Sequence, residues 1–458
     1  MACSVVDCEL FFLHAPMRTP LKFGASTMTE AVLARVCIRV RGRGGREAAG
    51  WGETPLSAAW GWPGPLAYER RLARMQHLAQ ELISAWKEFD CTGHPLEMGH
   101  GFLQDVLPGM WSEANRLHQA EEPMPWLAAL IVASAFDLAL HDAYGNLHDR
   151  PTYELYGRTH LTKDLADFLE PAPGSGLSFR DRYPSDFMLA QPEKRIPVWH
   201  LVGGLDPLDD GDLNGSEPDD GYPVLLRDWI SRDGLRCLKV KLRGNDAGWD
   251  FERLCRVGDM ALSRGVLWLS ADFNCTAPNV NAVVEVLQRL LKERPEIFAR
   301  LLYVEQPFPY ELEAHPYDVR PAASLKPLFM DESAHDWEMI RLGRSLGWSG
   351  VALKTCKTQT GAILSACWAL AHGMPIMVQD LTNPSLAMIS HAQLAAHFPT
   401  IWGIESNACQ FYPEFSRPEA EVHPGLYCRR DGVIDLSSVR GPGLGYRIES
   451  IGRTLHRP

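Results

Sequence analysis

Eight short apolar runs, six of them closing on an acid or a lysine, occupy the second half of this chain, at residues 196–202, 235–242, 266–272, 301–305, 327–331, 350–354, 375–380 and 400–405. Between them lie stretches with helical spacing and few breakers, at 224–233, 251–264, 282–294, 336–346, 361–372 and 385–397. Runs apolar throughout, alternating with helices at this pitch, are the sequence form of a parallel sheet covered by helices. Eight such units predict a closed barrel of the TIM type. A doubly wound sheet is the competing arrangement, but no glycine-rich phosphate turn follows the first run.

In a barrel of this kind the carboxyl ends of successive strands converge on one mouth, however far apart they lie in sequence. The ends here carry Lys239 and Lys241, Asp272, Glu305, Asp331 and Lys354. Three carboxylates form a hard, all-oxygen donor set, which suits Mg²⁺, with Mn²⁺ as the alternative, and not zinc. Removing a proton alpha to a carboxylate leaves a doubly charged enediolate, and a divalent cation is a means of stabilising it. Lysines then supply proton transfer. Residues 239 and 241 share a strand face, with Lys241 nearer the open end and so the better base. Lys239 beside it, together with the cation, is expected to lower its pKa. Lys354 follows a strand four places further round, so it is expected to reach the substrate from the opposite side, as racemisation or epimerisation requires.

The stretches KVKLRG at 239–244, ADFN at 271–274, YVEQP at 303–307, MDES at 330–333 and LKTCKTQTG at 353–361 resemble the enolase superfamily, specifically its muconate lactonizing enzyme branch. The resemblance implies a modified (β/α)7β barrel with an α+β capping domain. It also implies that Lys241 and Lys354 are the acid/bases and that Asp272, Glu305 and Asp331 bind Mg²⁺, the pairing general to that superfamily. Three departures stand out. Gln379-Asp380 occupies the seventh strand end, where mandelate racemases and acid-sugar dehydratases carry histidine; Glu405-Ser406-Asn407 stands where dipeptide epimerases carry an Asp-x-Asp pair; and Thr360-Gly361 replaces a pair of glycines.

The resemblance extends upstream. Residues 7–14 and 31–41 alternate as strands, 68–87 and 126–145 have helical patterns, and Trp51-Gly52-Glu53-Thr54-Pro55-Leu56 is similar to a stretch of the family's cap. The division expected is a cap over 1–157, an irregular connection over 158–195, the barrel over 196–420, and a return to the cap over 421–458. Lid segments are expected at 17–28, with Arg18, Lys22 and Phe23, and at 56–63, with Trp60 and Trp62. Phe23, Trp60, Gln379, Asp380 and Glu405 are the candidate substrate contacts. The acidic stretch 206–221 begins like a calcium loop, but its twelfth position is Gly221, so it reads as a solvated acidic turn on the mouth side.

With 458 residues, 46% of them hydrophobic, the chain has material for two substantial cores. A net charge of −12 argues against nucleic acid and anionic membranes as partners. No apolar run read here reaches spanning length, and the first residues lack a charged segment followed by an apolar one. Eleven cysteines without a Cys-x-x-Cys pair suit reduced thiols in a cytoplasm. Cys275 and Cys356 read as small filler, and His372 and His391 as helical packing residues. The function expected is proton abstraction alpha to the carboxylate of a small molecule, by a racemase, epimerase or cycloisomerase assembled as a symmetric homo-oligomer. An acid-sugar dehydratase and a catalytically silent binding barrel are the alternatives.

Overall fold

The computed structural model of the chain describes residues 2–24 and 26–455. Ala25, within the first expected lid segment, and residues 1 and 456–458, within the first and last expected domains, lie outside the described residues.

Strands β1 (Cys3–Phe23), β2 (Ser26–Gly42) and β3 (Glu47–Pro55) form an antiparallel meander in that order. Helices Tyr68–Glu88 and Trp126–His148 pack with it around a core of their own. Strand β3 escapes the sequence pattern because Gly50 and Gly52 interrupt its alternation. Tertiary packing explains both glycines, since a Cβ on Gly50 would lie 1.9 Å from the Ala143 nitrogen and one on Gly52 2.1 Å from the Ala135 oxygen. The helix therefore rests directly on the strand backbone. The segment Pro95–Arg116, also unread from the sequence, is two α-helical pieces joined by a π-helical turn at Phe102–Val106.

One expectation needs correcting at Trp126–His148, because this helix is long and apolar enough to cross a membrane. Its burial on nearly all sides makes it the core helix of the cap. Its acids serve as anchors. Asp137 accepts hydrogen bonds from the Thr360 amide and hydroxyl, and Asp142 accepts from the Trp51 and Leu444 amides.

The barrel comprises β4 (Arg195–Val202), β5 (Cys237–Lys241), β6 (Trp268–Asp272), β7 (Leu301–Glu305), β8 (Leu328–Met330), β9 (Gly350–Leu353), β10 (Ile376–Val378) and β11 (Thr400–Glu405), all parallel. Pairing of Ile404 with Val198 and of Glu405 with Trp199 closes the circle. Trp199, Cys237, Tyr303, Phe329 and Met377 cluster apart from the two larger cores and fill its interior. This is the TIM-type barrel with an N-terminal cap that the strand pattern predicts.

The C-terminal return departs from expectation. Its strand, β12 (Val433–Asp435), pairs antiparallel with the start of β4, so it extends the barrel sheet and does not join the cap. Contact with the cap falls instead to the loop around Gly443 and Leu444 and to Glu419. The irregular connection lies along the outside of the barrel helices. There the Leu189 and Glu193 amides donate to the carbonyls of His397 and Ala396, and Phe168, Leu169 and Phe179 are buried. The acidic loop after β4 is held by arginines and is not simply solvated: Asp210 pairs with Arg227 at 2.6 Å, Asp212 with Arg256 at 2.8 Å, and Asp220 with Arg18 at 2.6 Å.

Candidate functional site

Register brings the strand-end residues together. Lys241 pairs with Asp272 across β5 and β6, Asp272 pairs with Glu305 across β6 and β7, and Glu305 pairs with Phe329, two residues before Asp331. With a side-chain period of two, all four residues face one interior. Lys354 follows the last residue of β9. All the predicted lysines and acids here are buried.

The amines and carboxylates form one network. Lys239 Nζ lies 2.6 Å from Glu305 Oε1, 3.1 Å from Asp272 Oδ2 and 3.1 Å from Glu405 Oε2. Lys241 Nζ is 2.5 Å from Asp272 Oδ2, and Lys354 Nζ is 3.1 Å from Asp331 Oδ2 and 3.0 Å from the Asp380 carbonyl oxygen. Burial penalises the charged form of Lys239, but Glu305, Glu405, Asp272 and Asp331 outweigh it and hold its pKa well above the usual lysine range. Burial likewise opposes the charged form of Lys354, and Asp331 prevails, so its pKa also rises. Around Lys239 and Lys354 carboxylates outnumber ammoniums, and the nearer opposite charges dominate. Despite burial, Lys241 and Lys239 hold Asp272 well below the usual carboxylate range. Glu305 goes the other way, pushed up by burial and by the negative charge of Asp272.

Four further residues, given no role from the sequence, contribute. Lys357 donates to the Asp331 backbone oxygen and lies 3.4 Å from its Oδ1. It falls within the LKTCKTQTG stretch, and its signal was spacing: one 3₁₀ turn, Thr355–Lys357, returns it to the side of Lys354. Asn407 donates to Glu405 Oε1 at 3.0 Å and to Asp380 Oδ1 at 3.3 Å. Tyr303 accepts from Gln379, and Glu332 is a further buried acid whose carboxyl burial pushes up to about 7. These three lie in stretches singled out above, YVEQP, MDES and Glu405-Ser406-Asn407, but nothing local to those stretches reveals their partners.

Six buried carboxyl groups (Asp272, Glu305, Asp331, Glu332, Asp380 and Glu405) therefore meet four buried amines (Lys239, Lys241, Lys354 and Lys357). With all ten ionised the site would carry two excess negative charges, and burial already pushes Glu305, Glu332, Asp380 and Glu405 toward their neutral forms. An all-oxygen donor set with that imbalance fits a hard divalent cation in charge and donor type. Among the described residues, however, no three acidic, histidine or cysteine side chains are gathered as a cation cage. The ammonium groups stand on the oxygens a cation would take.

A cavity of about 40 Å³ lies between cap and barrel, lined by Phe23, Trp60, Lys241, Lys354, Asp380 and Glu405 together with Ser57, Thr382 and neighbouring apolar residues. Lys354 Nζ is 4.8 Å from the centre of the Trp60 ring, and Lys241 Nζ is 5.8 Å from that of Phe23. The structure thus gathers four of the five predicted substrate contacts. Gln379 is not among the lining residues. It sits below, donating to Glu305 Oε2 and to the Tyr303 hydroxyl, and accepting from Lys239. Trp62 also departs from the lid, fully buried in the cap core with Arg74 stacked 4.8 Å from its ring centre. Arg18 is held by Asp220 and by the Tyr222 and Pro223 carbonyls. Neither cysteine is activated, since burial pushes the Cys356 thiol up to about 12 and the Cys275 thiol well above its usual value. His391 Nε2 donates to the Glu405 carbonyl, and burial lowers its pKa to about 4, as befits a packing residue.

Among solved structures, the chain is similar to a dipeptide epimerase from Enterococcus faecalis complexed with Mg and the dipeptide L-Leu-L-Tyr, at 15% identity and a TM-score of 0.61, covering 96% of this chain and 99% of that one. It is similar to the N-succinyl Arg/Lys racemase from Bacillus cereus, at 15% identity and a TM-score of 0.60, covering 99% and 100%. A muconate lactonizing enzyme from Pseudomonas fluorescens complexed with muconolactone aligns at 18% identity and a TM-score of 0.58, covering 100% and 98%. At these identities the likeness concerns the fold. No curated protein matches the sequence. The profile of the family described as enolase C-terminal domain-like matches residues 223–451. With strand-end acids and lysines converging under an N-terminal cap, and half the chain matching that profile, the chain belongs to the enolase superfamily.

Proposed function

We propose that this chain is a Mg²⁺-dependent enzyme that removes the proton alpha to a carboxylate and returns a proton to the same or a neighbouring carbon, as a racemase, epimerase or cycloisomerase. The observation that carries this is the presence of Lys241 and Lys354, contributed by barrel positions four strands apart, in the lining of one cavity beside buried Asp272, Glu305 and Asp331. Those three carboxylates would hold the cation. When bound, Mg²⁺ supplies positive charge that offsets the enediolate.

Lys241 and Lys354 serve as the two acid/bases, one protonated and one neutral in each turnover; Asp331 favours the protonated form of Lys354, and a cation held by Asp331 would weaken that preference. Lys239, deeper and tied to Glu305, Asp272 and Glu405, keeps its charge and orients these carboxylates. Gln379 braces Glu305 from below. Phe23 and Trp60 cover the cavity and exclude water, which strengthens every charge interaction inside it. No histidine lines the cavity among the described residues, in keeping with a two-lysine scheme and not with the His-Asp dyad of the dehydratases.

The test is incorporation of solvent deuterium at the alpha carbon of an acid that the enzyme turns over. Lys241→Ala and Lys354→Ala should each abolish the exchange in the direction for which that lysine is the base. Exchange at the parental rate in both variants would refute the assignment. An unchanged melting temperature on adding Mg²⁺, with no exchange in any acid, would favour a silent binding barrel.

A further inference from the structure

The cavity between cap and barrel states more about its ligand than that it is a carboxylate. Its wall is apolar on the cap side, where Leu21, Phe23, Met28 and Trp60 line it, and Leu201 and Leu381 continue the apolar wall from the barrel. The polar groups that reach it are Ser57, Thr382, Asp380, Glu405 and the two lysines, and apart from the Ser57 hydroxyl they are largely engaged with neighbours, Thr382 donating to the Leu381 carbonyl. Asp380 accepts at Oδ1 from the Thr382 amide (3.0 Å) and from Asn407 Nδ2 (3.3 Å), and at Oδ2 from the Asn407 amide (3.1 Å). Glu405 accepts from Asn407 at one oxygen and from Lys239 at the other. What remains is one serine hydroxyl and the unused lone pairs of two carboxylates whose oxygens are already engaged, too few partners for the several hydroxyls of a sugar acid or the three donors of a peptide ammonium. Positive charge is equally committed. Among the described residues the cations lining the cavity are Lys241 and Lys354, while Arg18 is held by Asp220 and Lys357 by Asp331. A second carboxylate on the ligand would find no partner of its own.

Size points the same way. At about 40 Å³ the space is narrow, which favours a compact substituent over a long one. On the far side of Phe23 and Trp60 lies a larger cavity of about 330 Å³, lined by Asn274, Tyr310, Glu311 and Glu332 among others, but those two rings stand between it and the lysines.

We propose, building on the proton-abstraction scheme above, that the substrate is a monocarboxylic acid whose alpha carbon bears a compact apolar substituent, seated between the lysines and the wall formed by Leu21, Phe23, Met28 and Trp60. Dicarboxylic acids, polyhydroxy acids and free dipeptides are excluded as substrates because each would bury a polar group without a partner. An apolar pocket discriminates against one added hydroxyl by about 100-fold, and an unpaired second charge is penalised more.

The experiment uses the full chain with Mg²⁺ and three acids of similar size: 2-methylbutanoate, 2-methylsuccinate and 2,3,4-trihydroxybutanoate. Two quantities are read independently, the dissociation constant by calorimetry and deuterium uptake at the alpha carbon in heavy water. The expected result is binding of 2-methylbutanoate at least 100-fold tighter than either polar acid. Equal or tighter binding of the diacid or the hydroxy acid, or no binding of 2-methylbutanoate, overturns the proposal. The two readouts separate it from the scheme beneath it. Apolar preference without exchange in any acid leaves the selectivity standing and counts against proton abstraction. Exchange in the polar acids without apolar preference does the reverse.

Discussion

Replacing Arg35 by methionine should loosen the cap from the barrel, by an amount the local charge balance sets. Arg35, on β2 of the cap, is 1% exposed; its Nε donates to Glu53 Oε2 at 2.5 Å, and its Nη2 to Glu419 Oε1 at 3.0 Å and to Ser385 Oγ at 2.5 Å. Glu53 belongs to the cap strand β3, whereas Ser385 begins a barrel helix and Glu419 lies in the segment after β11. Arg453 completes the cluster, 2.6 Å from Glu419 Oε2. Two guanidinium groups therefore balance two carboxylates in a site closed to water. Methionine retains much of the apolar stem and removes the charge, leaving one carboxylate without compensation. Breaking a buried ion pair from one side costs about 3–5 kcal/mol, and that is the expected loss for Arg35→Met. The double variant Arg35→Met with Glu53→Gln restores the balance, because Arg453 and Glu419 remain matched. It should return to within about 1–2 kcal/mol of the parent.

The sign of the pH dependence follows from Glu53. Burial raises its pKa above the ordinary 4.5 even with Arg35 beside it, so without Arg35 the folded state holds its proton still more firmly than the unfolded chain does. The deficit of the single variant should therefore grow as pH rises above that ordinary value. Urea unfolding followed by far-ultraviolet circular dichroism and tryptophan fluorescence, at pH 5 and pH 8, measures all three quantities. A loss under about 1 kcal/mol in the single variant, or a double variant less stable than the single, would refute the charge-balance reasoning.

Saturating Mg²⁺ should stabilise the parent by about 2.7 kcal/mol at a hundredfold excess over its dissociation constant, and Asp272→Asn should lose most of that gain in a thermal melt. A melting shift of the same size in the variant would remove Asp272 from the cation site. Gly50→Ala should cost at least about 1–3 kcal/mol by overpacking, because its Cβ would meet the backbone of Trp126–His148; a neutral effect on the urea midpoint would show that helix and sheet separate easily. Burial pushes the Asp142 carboxyl up to about 7, so the folded state keeps a proton that the unfolded chain releases, and this residue makes stability fall as pH rises from about 4 to 7. Asp142→Asn should flatten that part of the pH profile, and an unchanged slope would refute the assignment.

The barrel and the core of its site were legible because they depend on local pattern and on one topological rule. Apolar runs ending in Lys241, Asp272, Glu305 and Asp331 announce strands of known length, and parallel strands bring their carboxyl ends to one mouth wherever the loops wander. The placement of Phe23 and Trp60 over the lysines followed from the expected cap. What pattern alone missed shares one cause, dependence on partners distant in sequence. Strand β3 looks like a loop until Trp126–His148 rests on Gly50 and Gly52. The C-terminal strand joined the barrel at the first residues of β4, 195–197, which precede its pairing with β5 and β11. Asn407 and Tyr303 enter the site through a neighbour's side chain and leave no periodic trace.

By itself, then, the sequence determined the chemical identity of the groups that meet at the barrel mouth and the order in which the strands deliver them. Tertiary structure alone decided their charge states and the character of the space between them. A lysine surrounded by carboxylates is held charged, whereas one among other amines is driven neutral, and only packing in three dimensions counts those neighbours.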